Sequence, residues 1–172
     1  EPDRCDLEKI RSMRPAFRRD GGTVTAASSS SISDGAAALV LTGADTAAAR
    51  GIEPLARIVG HSGFAHEPAW FTTAPVFAIK ALQDRLGWTA DDVDLYEINE
   101  AFAVVAMAAM HDLGLDHARV NVNGGACALG HPIGATGARI IATLVHALRS
   151  RGLRRGIASL CIGGGEATAV AV

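Results

Sequence analysis

The chain has 172 residues, 49% of them hydrophobic and 20% charged, with a formal net charge of -2. That length and apolar share suffice for one well-buried domain. The near-balanced charge excludes a global field that would draw the protein to nucleic acid or to an anionic membrane. No apolar run is long enough to span a bilayer and no secretory pattern stands at the start, so a cytoplasmic protein is expected. Cys5, Cys127 and Cys161 lie far apart without a C-x-x-C pair, which disfavours a disulfide framework or a zinc site and fits a reducing compartment.

Glu1 to Arg19 is charged with little apolar periodicity, as expected of a segment entering a domain from something upstream, so residues 1–22 are read as a lead-in and 23–172 as the domain. Thr23 to Ser33 is small and hydroxylated; its four serines are expected to form a solvated loop before a short buried strand, Ala36 to Leu41. Asp45 to Arg50 suits a short helix and Leu55 to Val59 a second strand. His61 and His66 follow in a segment with Gly63 and Pro68 and are read as loop histidines rather than metal ligands. Thr73 with Pro75 begins a helix whose stripe is Val76, Ile79, Leu82 and Leu86 and whose stop is Gly87. Thr89 with Asp92 resembles a capping box.

Leu95 to Ile98 alternates as a strand and leads through Asn99-Glu100 into a helix carrying Phe102, Val105, Ala106, Ala109, Met110 and Leu113. The scarcity of polar residues predicts that this helix is covered on most sides. Asn99 in that position reads by default as an N-cap. Arg119 to Val122 is the next strand. A long helix starting near Gly134 buries Ile140, Ile141, Leu144, Val145 and Leu148. Gly156 to Ile162 and Ala167 to Val172 are strands joined by the turn Gly163-Gly164-Gly165. This alternation predicts a three-layer α/β/α domain with a mixed, mainly parallel five-stranded sheet. Asn99, the loop before the long helix and Cys161 each follow a predicted strand, so the carboxyl edge of the sheet would gather them in one crevice.

The loop Asn121 to Arg139 is the densest in chemistry: five glycines, Cys127 and His131-Pro132 stand just before a helix. Proline pushes its predecessor toward an extended backbone, so the imidazole is presented from a fixed position. The helix amino end beside it would favour negative charge. Gly125 to Gly130 has the spacing of a phosphate loop, but His131-Pro132 replaces the needed lysine and hydroxyl residue. Gly130 and Gly134 also miss the dinucleotide spacing. A histidine with a cysteine on another strand suggests thiol chemistry, although a lone strand cysteine is more often a buried structural thiol.

In order and spacing, Asn99-Glu100-Ala101-Phe102-Ala103, Asn121-Val122-Asn123-Gly124-Gly125-Ala126, Leu129-Gly130-His131-Pro132-Ile133-Gly134-Ala135-Thr136-Gly137-Ala138-Arg139 and Cys161-Ile162-Gly163-Gly164-Gly165 resemble the thiolase family. Arg14-Pro15-Ala16-Phe17, Gly22-Thr23-Val24-Thr25-Ala26 and Ser33-Asp34-Gly35-Ala36-Ala37-Ala38 extend the likeness over nearly the whole chain. The resemblance implies the carboxy-terminal half of an acetyl-CoA acetyltransferase type of enzyme, acting on coenzyme A thioesters without a prosthetic group or metal. It implies that His131 activates a separate nucleophilic cysteine and helps line an oxyanion hole, and that Asn99 holds a water donating to that hole. Cys161 would move the proton at the acyl α-carbon and the Gly163 N–H would serve a second oxyanion hole. Ser30 would hydrogen-bond the pantetheine arm, with Ala26 and Phe102 beside it.

The family's acylated cysteine belongs to an amino-terminal half and matches none of the contexts of Cys5, Cys127 or Cys161. The implied partners are therefore CoA thioesters, an amino-terminal half and, in the complete enzyme, further copies in a homo-oligomer. Ser28 stands where asparagine is usual, and Cys127 is unusual in its loop. A non-catalytic CoA- or acyl-binding module is the alternative. A ketoacyl synthase relative fits less well, because those enzymes use a second histidine where Cys161 stands.

Overall fold

Four strands form one mixed sheet in the computed structural model, which describes residues 5–172: β1 (Gly60–Ala65), β2 (Leu95–Ile98), β3 (Gly156–Ile162) and β4 (Glu166–Ala171), in the order β1-β4-β3-β2. Only β2 and β3 are parallel; β4 is antiparallel to both β3 and β1. The sheet is therefore four-stranded and mainly antiparallel, which corrects the five mainly parallel strands expected from the sequence. Three of the expected strands account for the difference. Residues 36–41 form no strand, because none among the described residues lies beside them to take their backbone groups; Val40 is 98% and Leu41 70% exposed. The strand expected at Leu55 to Val59 begins instead at Gly60, where pairing with Ala171 starts. Arg119 to Val122 contributes one bridge, Val120 to Tyr96, after a 3-10 turn over His117–Arg119.

The helices are α1 (Leu7–Arg11), α2 (Ala44–Ala49), α3 (Ala74–Leu86), α4 (Ala103–Leu113), α5 (Ala126–Leu129) and α6 (Thr136–Arg151). Residues 1–4 of the lead-in lie outside the described residues. α3, α4 and α6 stop in one way. Gly87, Gly114 and Gly152 each turn left-handed, and the apolar residue after each, Trp88, Leu115 or Leu153, donates its N–H back to Gln83, Met110 or Leu148. This satisfies carbonyls that a helix end otherwise leaves bare and folds an apolar side chain under the last turn.

Strand alternation sends alternate residues to two cores. Tyr96 and Ile98 of β2, Ile157 and Cys161 of β3 and Ala167, Ala169 and Ala171 of β4 pack with α3 and α4. Leu95, Ala158 and Leu160 meet Ile140, Leu144, Val145 and Leu148 of α6 on the other face. The result is three-layered. In the first layer Ser62 donates its hydroxyl to the Ala78 carbonyl at 2.6 Å, and Gln83 donates to Tyr96 Oη at 3.0 Å. Burial pushes the Tyr96 phenol up to about 12.

α4 is open along one flank, with Met107 59% and Val104 42% exposed, so its apolar character exceeds what these residues cover. His61 lies in β1 rather than a loop, and His66 Nε2 lies 2.7 Å from the Trp70 carbonyl oxygen. Among the described residues no cluster of histidine, cysteine and carboxylate groups could hold a metal ion, and no helix is long and apolar enough to cross a membrane. Leu82 is wholly buried between α3 and the sheet. Leu82→Ala is expected to lower unfolding free energy by about 2–5 kcal/mol, read from urea denaturation of the chain.

Candidate active site

β2 and β3 run side by side with Ile98 opposite Ser159, and the Asn99 N–H extends the ladder by donating to the Ser159 carbonyl at 2.9 Å. Asn99 and Cys161 thus sit at the same carboxyl edge of the sheet. Asn99 is 1% exposed. It does not cap α4, which begins at Ala103; its carboxamide Nδ2 instead lies 3.3 Å from His131 Nε2. The N-cap reading of Asn99 fails because the three residues that follow it are not helical.

His131 is fixed from its other side by Thr136, whose Oγ1 lies 2.7 Å from Nδ1. The threonine hydroxyl donates to the Pro132 carbonyl at 3.0 Å. With its proton engaged there, Oγ1 can only accept, so Nδ1 carries the imidazole proton and the unprotonated Nε2 accepts the Asn99 amide N–H. Burial, and secondarily the Arg139 cation, hold His131 below the ordinary imidazole range. A neutral, oriented imidazole with an unprotonated Nε2 is the form a general base requires.

The loop that carries His131 is braced by side chains rather than by a ladder. Asn121, at φ 50°, accepts the Ile98 N–H and donates to the Ile98 carbonyl, each at 2.8 Å, so its carboxamide stands in for a neighbouring strand. Its Nδ2 also reaches Glu100 Oε1 at 3.2 Å, while Glu100 Oε2 accepts the Cys127 N–H at 3.1 Å at the start of α5. The Glu100 carboxylate occupies the space a Cβ on Gly125 would take. The serine run is no solvated loop: Ser29 bridges Phe102, Ile32 bridges His131, and His131 donates its N–H to the Ser31 carbonyl at 2.9 Å. Ser30 gives both N–H and hydroxyl to the Ala101 carbonyl, at 3.1 and 3.0 Å. Hydrogen-bonding capacity that looks like solvation in sequence is spent on the site's own backbone.

Asn99, His131, Ser30 and Phe102 are therefore brought into one network. Phe102 stands edge-on to Phe17 at 5.8 Å and to Phe71 at 6.2 Å. Ala26 opens the 3-10 turn Ala26–Ser28 on the same loop and is exposed. Cys161 is 8% exposed in the core beside α3 and α4, without a side-chain hydrogen bond to Asn99 or His131. Gly163 lies exposed in the β3–β4 turn with nothing near a Cβ position. Burial raises the Cys161 thiol to about 11; Cys127 also reaches about 11, through burial and then the Glu100 charge. Sequence reasoning missed Thr136, Asn121 and Glu100 as supports. The signal for Thr136 was a hydroxyl residue in the first turn after His131-Pro132, within side-chain reach of both.

Thr136→Val removes the acceptor on Nδ1 while preserving shape. It is expected to cost about 1–3 kcal/mol in urea unfolding and to mix the His131 tautomers in 15N NMR. For the thiols, a pKa near 11 leaves about one thousandth as thiolate at pH 8. Brief iodoacetamide treatment at that pH is expected to label exposed Cys5, with Cys127 and Cys161 labelled only after denaturation, as read by peptide mass mapping.

The thiolase carboxy-terminal domain model matches residues 52–172, and the thiolase amino-terminal domain model matches residues 1–45. The chain is 50% identical over 165 residues to acetyl-CoA acetyltransferase 1 of Arabidopsis thaliana, covering 96% of this chain and 40% of that protein. The crystal structure of the Bacillus anthracis acetyl-CoA acetyltransferase superposes with a TM-score of 0.93 at 48% identity, over 96% of this chain and 42% of that one. A thiolase from Ascaris suum, solved in complex with coenzyme A, superposes with a TM-score of 0.90 at 42% identity, over 98% and 44% of the two chains. The chain thus spans about two fifths of the length of the curated relatives it matches. It belongs to the thiolase family.

Proposed function

We propose that this chain is the carboxy-terminal half of an acetyl-CoA acetyltransferase type of thiolase, moving an acyl group between CoA thioesters by Claisen condensation or its thiolytic reverse. The observation that carries the reading is the Asn99–His131–Thr136 array, which holds a neutral imidazole with an unprotonated Nε2 at the sheet edge. In this reading a cysteine of the amino-terminal half gives its thiol proton to His131 Nε2. Its sulfur then attacks the thioester carbonyl, and the departing CoA thiolate takes that proton back. His131 and an Asn99-held water donate to the oxyanion as it forms. One such donor lowers the barrier by about 3 kcal/mol in comparable acyl transfers.

Cys161 is the acid/base at the acyl α-carbon and the Gly163 N–H the donor of a second oxyanion hole. A thiol held near 11 keeps its proton until an enolate demands it, which suits the protonating direction. Ser30, Ala26 and Phe102 border the pantetheine arm. The Ser30 hydroxyl, with its proton given to Ala101, keeps lone pairs for an amide N–H. The acyl group needs no prosthetic carrier, since the cysteine itself holds it.

The family models divide the chain between residues 45 and 52, yet the hydrogen bonds of Ser30 and Ser31 tie their loop to the site. We therefore treat 23–172 as the functional unit and 1–22 as its lead-in. The amino-terminal half is the proposed cover for Ile32, Val40, Leu41, Ile52 and Leu55, all more than half exposed. A cytosolic homo-oligomer is the proposed setting, in keeping with three unpaired cysteines.

The test is acetoacetyl-CoA thiolysis by this chain with and without a separately supplied amino-terminal thiolase half. Activity is expected only with both, falling about 10²–10³-fold or more in His131→Ala. Thiolysis by the chain alone, or none with any thiolase half that forms a complex with it, overturns the reading, and the second result leaves a binding module.

A further inference from the structure

Glu97 is buried to 2% exposure, two residues before Asn99 on the same face of β2. Among the described residues its charged neighbour of opposite sign is Arg139, one turn beyond Thr136 on α6, with Nη1 3.6 Å from Glu97 Oε2. That separation exceeds hydrogen-bond distance. Glu97 Oε1 and Arg139 Nη1 have no hydrogen-bond partner among the described residues. A loose buried pair of this kind returns less than its desolvation costs, so apolar residues would hold the two elements together at least as well. What the pair does have is placement: it joins the strand whose extension carries Asn99 to the helix turn whose threonine holds His131.

We propose that Glu97 and Arg139, set between β2 and the first turns of α6, are positioning residues for His131 that fix the charge felt by its imidazole. The inference rests on the thiolase reading of His131 given above. Neither residue hydrogen-bonds the imidazole; they act through the field. The charged groups that bear on the pair are few. Glu97 feels Arg139 from α6 and Glu100 from its own strand end, and His131 feels Arg139. Burial, opposed by Arg139 and aided by Glu100, pushes the Glu97 carboxyl up to about 7. While Glu97 is protonated, the Arg139 cation stands uncompensated and adds to burial in keeping the imidazole neutral. Once Glu97 ionises, it shields that cation.

The folded chain holds the Glu97 proton up to about 7, whereas the unfolded chain releases it near 4.5. This contribution is therefore full below 4.5 and lost as pH rises to about 7.

The experiment is a pH titration of the His131 ring by 1H–13C NMR on the full chain and on Glu97→Gln, Arg139→Met and Arg139→Lys. In the unaltered chain His131 is expected to titrate below the ordinary imidazole value and to show a second, smaller inflection near 7 from Glu97. Arg139→Met should raise the His131 midpoint by about half a unit to one unit, and Arg139→Lys should restore it. Glu97→Gln should erase the inflection near 7 and flatten the fall of the urea midpoint across the same window. A His131 midpoint unmoved by Arg139→Met, or an inflection that survives Glu97→Gln, overturns the proposal. Should Arg139→Met not fold, the lysine and glutamine variants still decide it: a shifted midpoint in the folded lysine variant or a persistent inflection in the glutamine variant is the contrary result. These readouts need no turnover, so they stand or fall apart from the thiolysis assay.

Discussion

The parallel pairing of β2 with β3 is the constraint on which the site depends. Its register places Ile98 beside Ser159, and the Asn99 N–H carries the ladder one bond further, so Asn99 and Cys161 leave the sheet at one edge. A slip of a single residue would turn Leu95, Glu97 and Asn99 to the face where Tyr96 and Ile98 now pack. The two cores prevent it: Tyr96 and Ile98 are 1% exposed against α3 and α4, while Leu95 is 4% exposed against α6. Burial on both faces fixes the register, and the register aims the carboxamide.

Beyond the strand ends the backbone has no ladder, and polar side chains take its place. The Asn121 carboxamide pairs with both groups of Ile98, Glu100 holds the start of α5, and the Ser29–Ile32 segment bridges Phe102 and His131. Each bond of this kind contributes about 1 kcal/mol net, but a buried donor or acceptor left without its partner costs more than that. The loops are thus held by the penalty for breaking them. Gly125 belongs to the same logic, since the Glu100 carboxylate fills the volume a side chain would need.

Much of this was legible in the sequence where local chemistry and periodicity coincide. Val76, Ile79 and Leu82 with Gly87 mark α3 to its last residue, and the Thr89–Asp92 box forms as read, with both Thr89 donors on Asp92 Oδ2 at 2.8 Å. The Gly163–Gly165 turn joins β3 to β4 as expected. Residues 36–41 failed because a strand is a relation between segments, and apolar alternation does not state whether a partner is present. The serine run failed because hydroxyls that satisfy backbone look the same in sequence as hydroxyls that face water. Asn99 and His131 could be singled out by pattern, but their meeting at 3.3 Å is a product of the fold. Glu97 and Arg139 carried no signal, because nothing in a sequence marks an ion pair that closes only across two layers.

The Thr136 hydroxyl has a bearing on how protons can travel. Its hydrogen is given to the Pro132 carbonyl, which also accepts the N–H groups of Ala135 and Thr136. It therefore has no proton to pass on and no vacant acceptor behind it to receive one. The imidazole is closed on that side, a dead end rather than a link in a relay. A proton taken up at Nε2 must leave from Nε2, into the same crevice from which it came. Proton transfer through His131 is thereby confined to reactions in which the group that loses the proton and the group that regains it occupy one position in succession.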